Sequence, residues 1–149
     1  MNSIFEMLLT ISRYNAGEVD ALYASSGITS NLGALTDVEE APLRNLAQSV
    51  GYSLADVEII GEDAVLRQSC TALEKLLNER INQKTAVIEA PDLELEGIVG
   101  NYEDIEIRKG GQGEIFVCAR DQNHKLSKFW KFGSLNDLQE EIWIASLSS

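Results

Sequence analysis

The chain has 149 residues, of which 44% are hydrophobic and 24% are charged, a composition typical of one globular domain with a buried core. Its formal net charge of −12 disfavours direct binding to nucleic acid phosphates or anionic lipid, because the field of the chain repels them. The two cysteines, Cys70 and Cys118, lack CxxC spacing. We therefore expect no disulfide, no zinc site and a reducing, cytoplasmic setting.

The first 84 residues show helical spacing of apolar side chains. The run from Ile4 to Ile11 predicts a core helix over residues 3–14. This run contains Glu6 and is much shorter than the roughly 20 apolar residues that cross a bilayer, so we expect no membrane segment. Further helices are expected over 16–25, 37–50 and 53–60, with a loop over 26–35 where turn residues cluster. The second of these starts at about 40 instead if Pro42 lies in its first turn.

The most regular helical pattern lies over residues 66–81, shortly before the apolar period changes. Its apolar residues recur at steps of four, three, four and four: Leu66, Cys70, Leu73, Leu77 and Ile81. Polar and charged residues occupy the opposite face, as in a helix with one solvated side. We expect this stripe to be core, and a homodimer paired through the Leu66–Ile81 helix is the alternative.

After Lys84 the period changes to two, which predicts β-strands over residues 92–96, 103–109, 114–120 and 126–132. Turn residues at 110–113 and 121–124 join the later strands as hairpins. Ser134 and Asp137 mark the start of a C-terminal helix that we expect to lie across the sheet.

These patterns predict an α+β fold in a single domain over residues 1–149. A helical subdomain over 1–84 holds four to five helices. The part over 85–149 holds an antiparallel meander of three or four strands and the C-terminal helix.

Charge is sorted along the second half of the chain. Residues 85–107 hold seven acids and no Lys or Arg, whereas residues 108–132 hold six Lys or Arg against two acids. Such sorting either lets neighbouring strands form ion pairs with each other or presents a surface of one charge sign to a partner. In the second case the acids steer a basic partner, and an exposed aromatic, Tyr102 or Trp143, supplies an apolar anchor. The acids are Glu89, Asp92, Glu94, Glu96, Glu103, Asp104 and Glu106.

Two segments could bind nucleic acid. The segment 46–57 resembles a helix-turn-helix, with Ala47 and Gly51 where two helices would pack around a turn. Its second helix offers acids and a serine rather than the Arg, Lys, Asn or Gln that read DNA. The strand Lys125–Lys131 carries lysines among aromatics, as single-strand binders do, but alternation divides them between two faces.

No catalytic motif is found in the sequence. His124 is the only histidine and falls in a predicted turn, and the glycine-rich residues 110–113 lack the Lys-Ser/Thr ending of a P-loop. The acids lack both a calcium-loop pattern and histidine partners. We therefore expect no enzyme, no metal and no cofactor.

The expected function is a cytoplasmic, non-catalytic interaction protein that binds a basic protein or a protein–nucleic acid complex through its acidic face. An inhibitor, an immunity-type protein or a mimic of nucleic acid charge would have this character. One alternative is a regulatory nucleic-acid binder that uses the helix-turn-helix-like segment or the 125–131 strand. The other is a small enzyme or ligand-binding protein.

Overall fold

The computed structural model describes residues 2–89 and 93–147, and over these residues it has the expected α+β order. The chain divides into two compact units, Met1–Ile81 and Asn82–Ser149. That the two units form a single domain stays a prediction. The helices are α1 Asn2–Asn15, α2 Ala21–Thr29, α3 Ala41–Ala55, α4 Val57–Ile60, α5 Ala64–Lys84, α6 Glu96–Val99 and α7 Leu135–Leu147. The strands are β1 Thr85–Val87, β2 Asp104–Gly110, β3 Ile115–Arg120 and β4 Leu126–Phe132.

The first unit is built on α1, whose apolar stripe is buried as its spacing predicts. Phe5, Leu8 and Ile11 are at most 2% exposed. The next helix, α2, begins where the Asp20 side chain accepts a hydrogen bond from the Tyr23 amide at 2.7 Å. It continues to Thr29, so the predicted loop over 26–35 begins too early. Gly27 lies within the helix because α1 approaches closely there: a Cβ at this position would lie 2.8 Å from the Thr10 side chain on α1.

The helix-turn-helix interpretation of residues 46–57 is wrong. Helix α3 passes through Gly51 without a turn, and the next helix, α4, has only four residues. Gly51 is buried because α2 approaches closely there: a Cβ would lie 2.8 Å from Thr29 Cγ2, and Ser25 Oγ donates to the Gly51 carbonyl at 2.6 Å. The glycine therefore serves helix packing.

We expect Gly51→Val to lower the free energy of unfolding by about 1 to 3 kcal/mol, as overpacking of a close contact does. The Thr29 side chain cannot easily turn aside, because its hydroxyl donates to the Ser25 carbonyl at 2.9 Å. Urea unfolding followed by far-UV circular dichroism measures the loss. The control is Ser53→Val on the exposed face of α3, which should change stability by less than about 0.5 kcal/mol. Equal stability of the two variants would contradict this packing.

Four of the five residues in the apolar stripe of α5 are buried, as expected for core, and Leu66 is half-buried. Cys70, Leu73, Leu77 and Ile81 are each at most 2% exposed. A homodimer through this helix stays a prediction, and it would have to use exposed side chains such as Val65 and Leu76.

The second unit holds a four-stranded antiparallel sheet in the order β1-β2-β3-β4, which confirms the predicted meander. The hairpin between β2 and β3 closes where the Gly110 amide donates to the Glu114 carbonyl at 2.9 Å, and Gly113 has a φ of 85°. The turn between β3 and β4 contains His124 at a φ of 61°. Both turns lie where the sequence predicts them.

The first strand is not where the sequence predicts it. Alternation indicated a strand over 92–96, but residues 93–95 form no strand, α6 begins at Glu96, and β1 lies earlier at Thr85–Val87. Asp92 lies outside the described residues. Leu93 and Leu95 are half-buried against the sheet core. This irregular segment therefore shows the same alternation of apolar and acidic residues as a strand, which explains the wrong prediction.

Helix α7 covers one face of the sheet. Its start is capped by Ser134, whose hydroxyl oxygen accepts from the Asp137 amide at 3.1 Å. Leu138 is fully buried in a cluster with Ile107, Ile115 and Val117. The predicted placement of this helix across the sheet is confirmed.

Candidate docking groove

The second unit contains a groove of about 700 Å3 on the β1 side of β2. Three segments line it: the end of β1, the segment that leads into α6, and the residues from Gly100 into the first half of β2. Its apolar lining includes Val87, Ile88, Leu93, Leu95 and Ile105. Of the sequence-predicted partner residues, it brings together Glu89, Glu96, Tyr102, Asp104 and Glu106. We call this the acidic groove.

The described acids of this region that lie outside the β2 ladder are exposed and are not neutralised by a salt bridge with another described residue. Glu89, Glu94, Glu96 and Glu103 are exposed, and none of them forms a salt bridge with another described residue. Glu94 and Glu96 also line a second groove of about 650 Å3 between α6 and α7. Negative charge therefore surrounds α6.

Glu106 differs from the other acids, because its charge is neutralised inside the sheet. Its Oε1 lies 2.6 Å from Arg108 Nε and 3.1 Å from Arg120 Nη2, and the two arginine side chains are 10% and 8% exposed. Burial by itself would raise the pKa of Glu106, but the hydrogen bonds from Arg108 and Arg120 outweigh it and hold the pKa below its ordinary value. Glu106 is thus a structural ion-pair residue more than a source of attraction for a partner.

Asp104 is also partnered. Its Oδ2 lies 2.9 Å from Nδ1 of His124, which is exposed in the turn before β4. The acid-rich strand β2 and the lysine-rich strand β4 do not pair with each other, because β3 lies between them. The acids of β2 instead meet Arg108, Arg120 and His124.

The two candidate aromatic anchors lie in different places. Tyr102 lines the acidic groove, and its ring meets Trp130 edge-on with centroids 5.9 Å apart, which fixes its orientation. Trp143 is 62% exposed on α7 and does not line the acidic groove. Tyr102 is therefore the aromatic of this groove.

The aromatic side chains of the lysine-rich strand, Phe129, Trp130 and Phe132, are half-buried. Trp130 and Phe132 pack against the sheet core, and Lys128 Nζ lies 5.1 Å from the centroid of the Trp130 ring. Lys128, Trp130 and Phe132 share one face of β4, as alternation predicts. The side chains of Lys125, Lys128 and Lys131 are exposed.

Neither cysteine is an activated nucleophile. Both cysteines are buried, and burial raises the pKa of Cys70 to about 11 and that of Cys118 to about 12, which disfavours the nucleophilic thiolate. Within residues 2–89 and 93–147, no group of three or more His, Cys, Asp or Glu side chains could hold a metal ion.

Sequence reasoning missed the apolar half of the acidic groove. Val87 and Ile88 directly precede the acidic stretch, and Val87 is 53% exposed. The three β-branched residues Thr85, Val87 and Ile88 were the available signal for a strand, since such residues favour strands. That signal does not show that this strand ends beside a groove.

In the part of the chain that the structure describes, no helix is long and apolar enough to cross a membrane. No family model, curated protein or solved structure matches the chain.

Proposed function

We propose that this protein is a non-catalytic acidic docking protein that binds a basic protein, alone or bound to nucleic acid, through the acidic groove. The observation that carries the proposal is the pairing of exposed acids with apolar lining in one concave site. Glu89 and Glu96 lie there beside Val87, Leu93 and Leu95.

The two kinds of lining have separate roles in binding. The net charge of −12 and the acids around α6 attract a basic partner over long range and raise its association rate. The apolar lining and Tyr102 supply area that leaves water on contact, which slows dissociation. An acidic surface without the groove would raise the association rate but would not slow dissociation.

The test compares two fourfold variants that change the net charge equally. The groove variant, E89Q/E94Q/E96Q/E103Q, changes the two exposed acids that line the acidic groove, Glu89 and Glu96, and two exposed acids next to lining residues in the chain. The control variant is E6Q/E18Q/E58Q/E79Q, whose four acids are exposed on the first unit. Each protein is immobilised, and nuclease-treated extract of the source organism is applied at low salt and eluted with a salt gradient.

We expect wild type and control variant to retain the same basic protein and the groove variant to lose it. With the recovered partner, surface plasmon resonance should show association at low salt slowed about tenfold or more by the groove variant, with a flatter salt dependence. The control variant should stay within about threefold of wild type. Equal slowing by both variants, or retention of no basic protein by wild type, would contradict the proposal.

A further inference from the structure

The short helix α4 and the start of α5 expose large apolar side chains on the first unit. Ile59, Ile60 and Val65 are 86%, 77% and 70% exposed. Helix α4 is a single turn that ends at Gly61, whose φ of 80° directs the chain toward α5. Single exposed apolar residues are ordinary on a protein surface, whereas a cluster of them is typical of an interaction site. We call Ile59, Ile60 and Val65 the α4 patch.

A cavity of about 230 Å3 lies beside the α4 patch, between the end of α3, α4 and the start of α5. Its apolar wall comes from Val50, Ile60, Val65 and Leu66. Its polar lining includes three hydroxyls and two carboxylates, from Ser49, Ser53, Ser69, Asp56 and Asp63. Binding sites for small molecules usually span about 300–1,000 Å3, so this cavity suits one side chain of a protein partner better than a whole ligand.

The two carboxylates give the cavity a negative charge that no described cation neutralises. Asp56 and Asp63 are exposed and form no salt bridge with another described residue, and the described lining contains no Lys or Arg. The nearby Arg67 is engaged elsewhere, since its Nε lies 2.9 Å from Glu62 Oε1. The Asp63 carboxylate is held in place, because its Oδ1 accepts a hydrogen bond from the Leu66 amide at 2.7 Å.

An arginine side chain matches both kinds of lining. Its aliphatic stem packs on apolar surface while its charged end stays at a polar rim. The planar guanidinium has five N–H donors, and carboxylate and serine hydroxyl oxygens accept hydrogen bonds from such donors. A second copy of this chain is a poorer partner, because its own net charge of −12 is repelled by the acidic rim.

We propose that this cavity binds an arginine of a partner protein, and that the α4 patch contacts apolar residues that flank this arginine. Asp56 and Asp63 pair with the guanidinium, while Ile60 and Val65 contact its stem and the flanking residues. The cavity belongs to the first unit, so the inference goes beyond docking through the acidic groove and does not rest on it.

The test uses the isotope-labelled full chain and the capped peptide Ser-Leu-Arg-Leu-Ser. In one control peptide, citrulline, which is neutral and has nearly the same shape, replaces arginine. In the other, serine replaces both leucines. Titrations followed by two-dimensional NMR spectra give each Kd and identify the amides that shift. We expect the arginine peptide to bind at least about tenfold more tightly than the citrulline peptide and several-fold more tightly than the serine peptide, with the largest shifts within residues 49–69.

A matched pair of charge variants locates the guanidinium. D56N/D63N should weaken binding of the arginine peptide about tenfold and leave that of the citrulline peptide unchanged. Asparagine removes the charge but still accepts the hydrogen bond that starts α5, so the fold is kept. The control D20N/D37N removes two exposed carboxylates of the first unit, one of which also caps a helix. It should leave the Kd within about twofold, and far-UV circular dichroism checks that each variant is folded.

A second pair of variants tests the apolar contact. V65S should weaken binding of the arginine peptide several-fold, because it removes apolar surface beside the cavity. V38S makes the same change at a side chain that is 90% exposed on the first unit and does not line the cavity, and it should leave the Kd within about twofold. The groove variant E89Q/E94Q/E96Q/E103Q should stay within about threefold of wild type, since its changes lie in the second unit.

Several results would overturn this inference and leave docking through the acidic groove untouched. One is equal affinity for the arginine and citrulline peptides, and another is equal weakening by D56N/D63N and D20N/D37N. Binding of arginine amide as tight as that of the peptide would assign the cavity to a small cation. Concentration-dependent self-association that I59S/I60S abolishes would assign the α4 patch to a second copy of this chain. Loss of the arginine peptide in the groove variant alone would place its binding at the acidic groove.

Discussion

Glu106→Gln should lower the free energy of unfolding by roughly 3 kcal/mol. The substitution leaves Arg108 and Arg120, which are 10% and 8% exposed, without their shared counter-charge, and breaking a buried pair from one side costs about 3 to 5 kcal/mol. We expect the lower end of that range because the Glu106 side chain is still 19% exposed. Urea unfolding followed by tryptophan fluorescence measures the loss, since both tryptophans, Trp130 and Trp143, belong to the second unit.

The control for this variant is Glu103→Gln, which removes an exposed acid close by on the chain and should cost less than about 0.5 kcal/mol. The pH dependence provides a second check. The pKa of Glu106 in the folded state lies below its ordinary value of 4.5, so its contribution is present above that pH and is lost as the pH falls through the folded value. The stability difference between wild type and E106Q should therefore shrink in acid. A difference that stays constant or grows would contradict the ion-pair role.

Leu138→Ala should lower the free energy of unfolding by about 2 to 5 kcal/mol. Leu138 is 0% exposed and joins α7 to Ile107, Ile115 and Val117, so its truncation leaves a cavity as well as removing apolar burial. Tryptophan fluorescence during urea unfolding again reports this unit.

Leu147→Ala makes the same chemical change on the same helix where the side chain is 65% exposed. It should alter stability by less than about 0.5 kcal/mol. Similar losses in Leu138→Ala and Leu147→Ala would show that α7 does not pack on the sheet through the face described above.

The sorted charge of the second half has two outcomes in the structure. On β2, Glu106 and Asp104 are partnered by cationic or titratable groups of β2, β3 and the following turn, as cross-strand pairing requires. Around α6, the acids outside the ladder are exposed beside apolar surface. An acidic surface and internal pairing therefore coexist, and the proposed docking function rests on the exposed acids around α6.

Several elements followed from local patterns alone. The change of apolar period after Lys84 placed the boundary between helices and strands, because side-chain direction repeats every 3.6 residues in a helix and every two in a strand. The glycines at 110–113 and the residues Ser134 and Asp137 placed a hairpin and a helix start, since both depend on backbone requirements of a few neighbouring residues.

Other features depended on contacts between distant residues. Gly51 has the spacing of a turn glycine, yet the approach of α2 makes it a packing residue within α3. Leu93 and Leu95 alternate like strand residues, yet no strand forms there. Both errors have one cause: local spacing records which side chains face inward and does not identify the element that they face.

The acidic groove shows the same division. Charge sorting singled out Glu89 and Glu96 as candidate partner residues, with Tyr102 as a candidate aromatic anchor, and all three line this groove. Only the tertiary structure decided that Glu106 is neutralised by Arg108 and Arg120, and that Val87 and Ile105 lie beside the exposed acids. The physical reason is that the groove is formed by three segments that are separate in sequence, and their proximity arises from strand register and the packing of the sheet core.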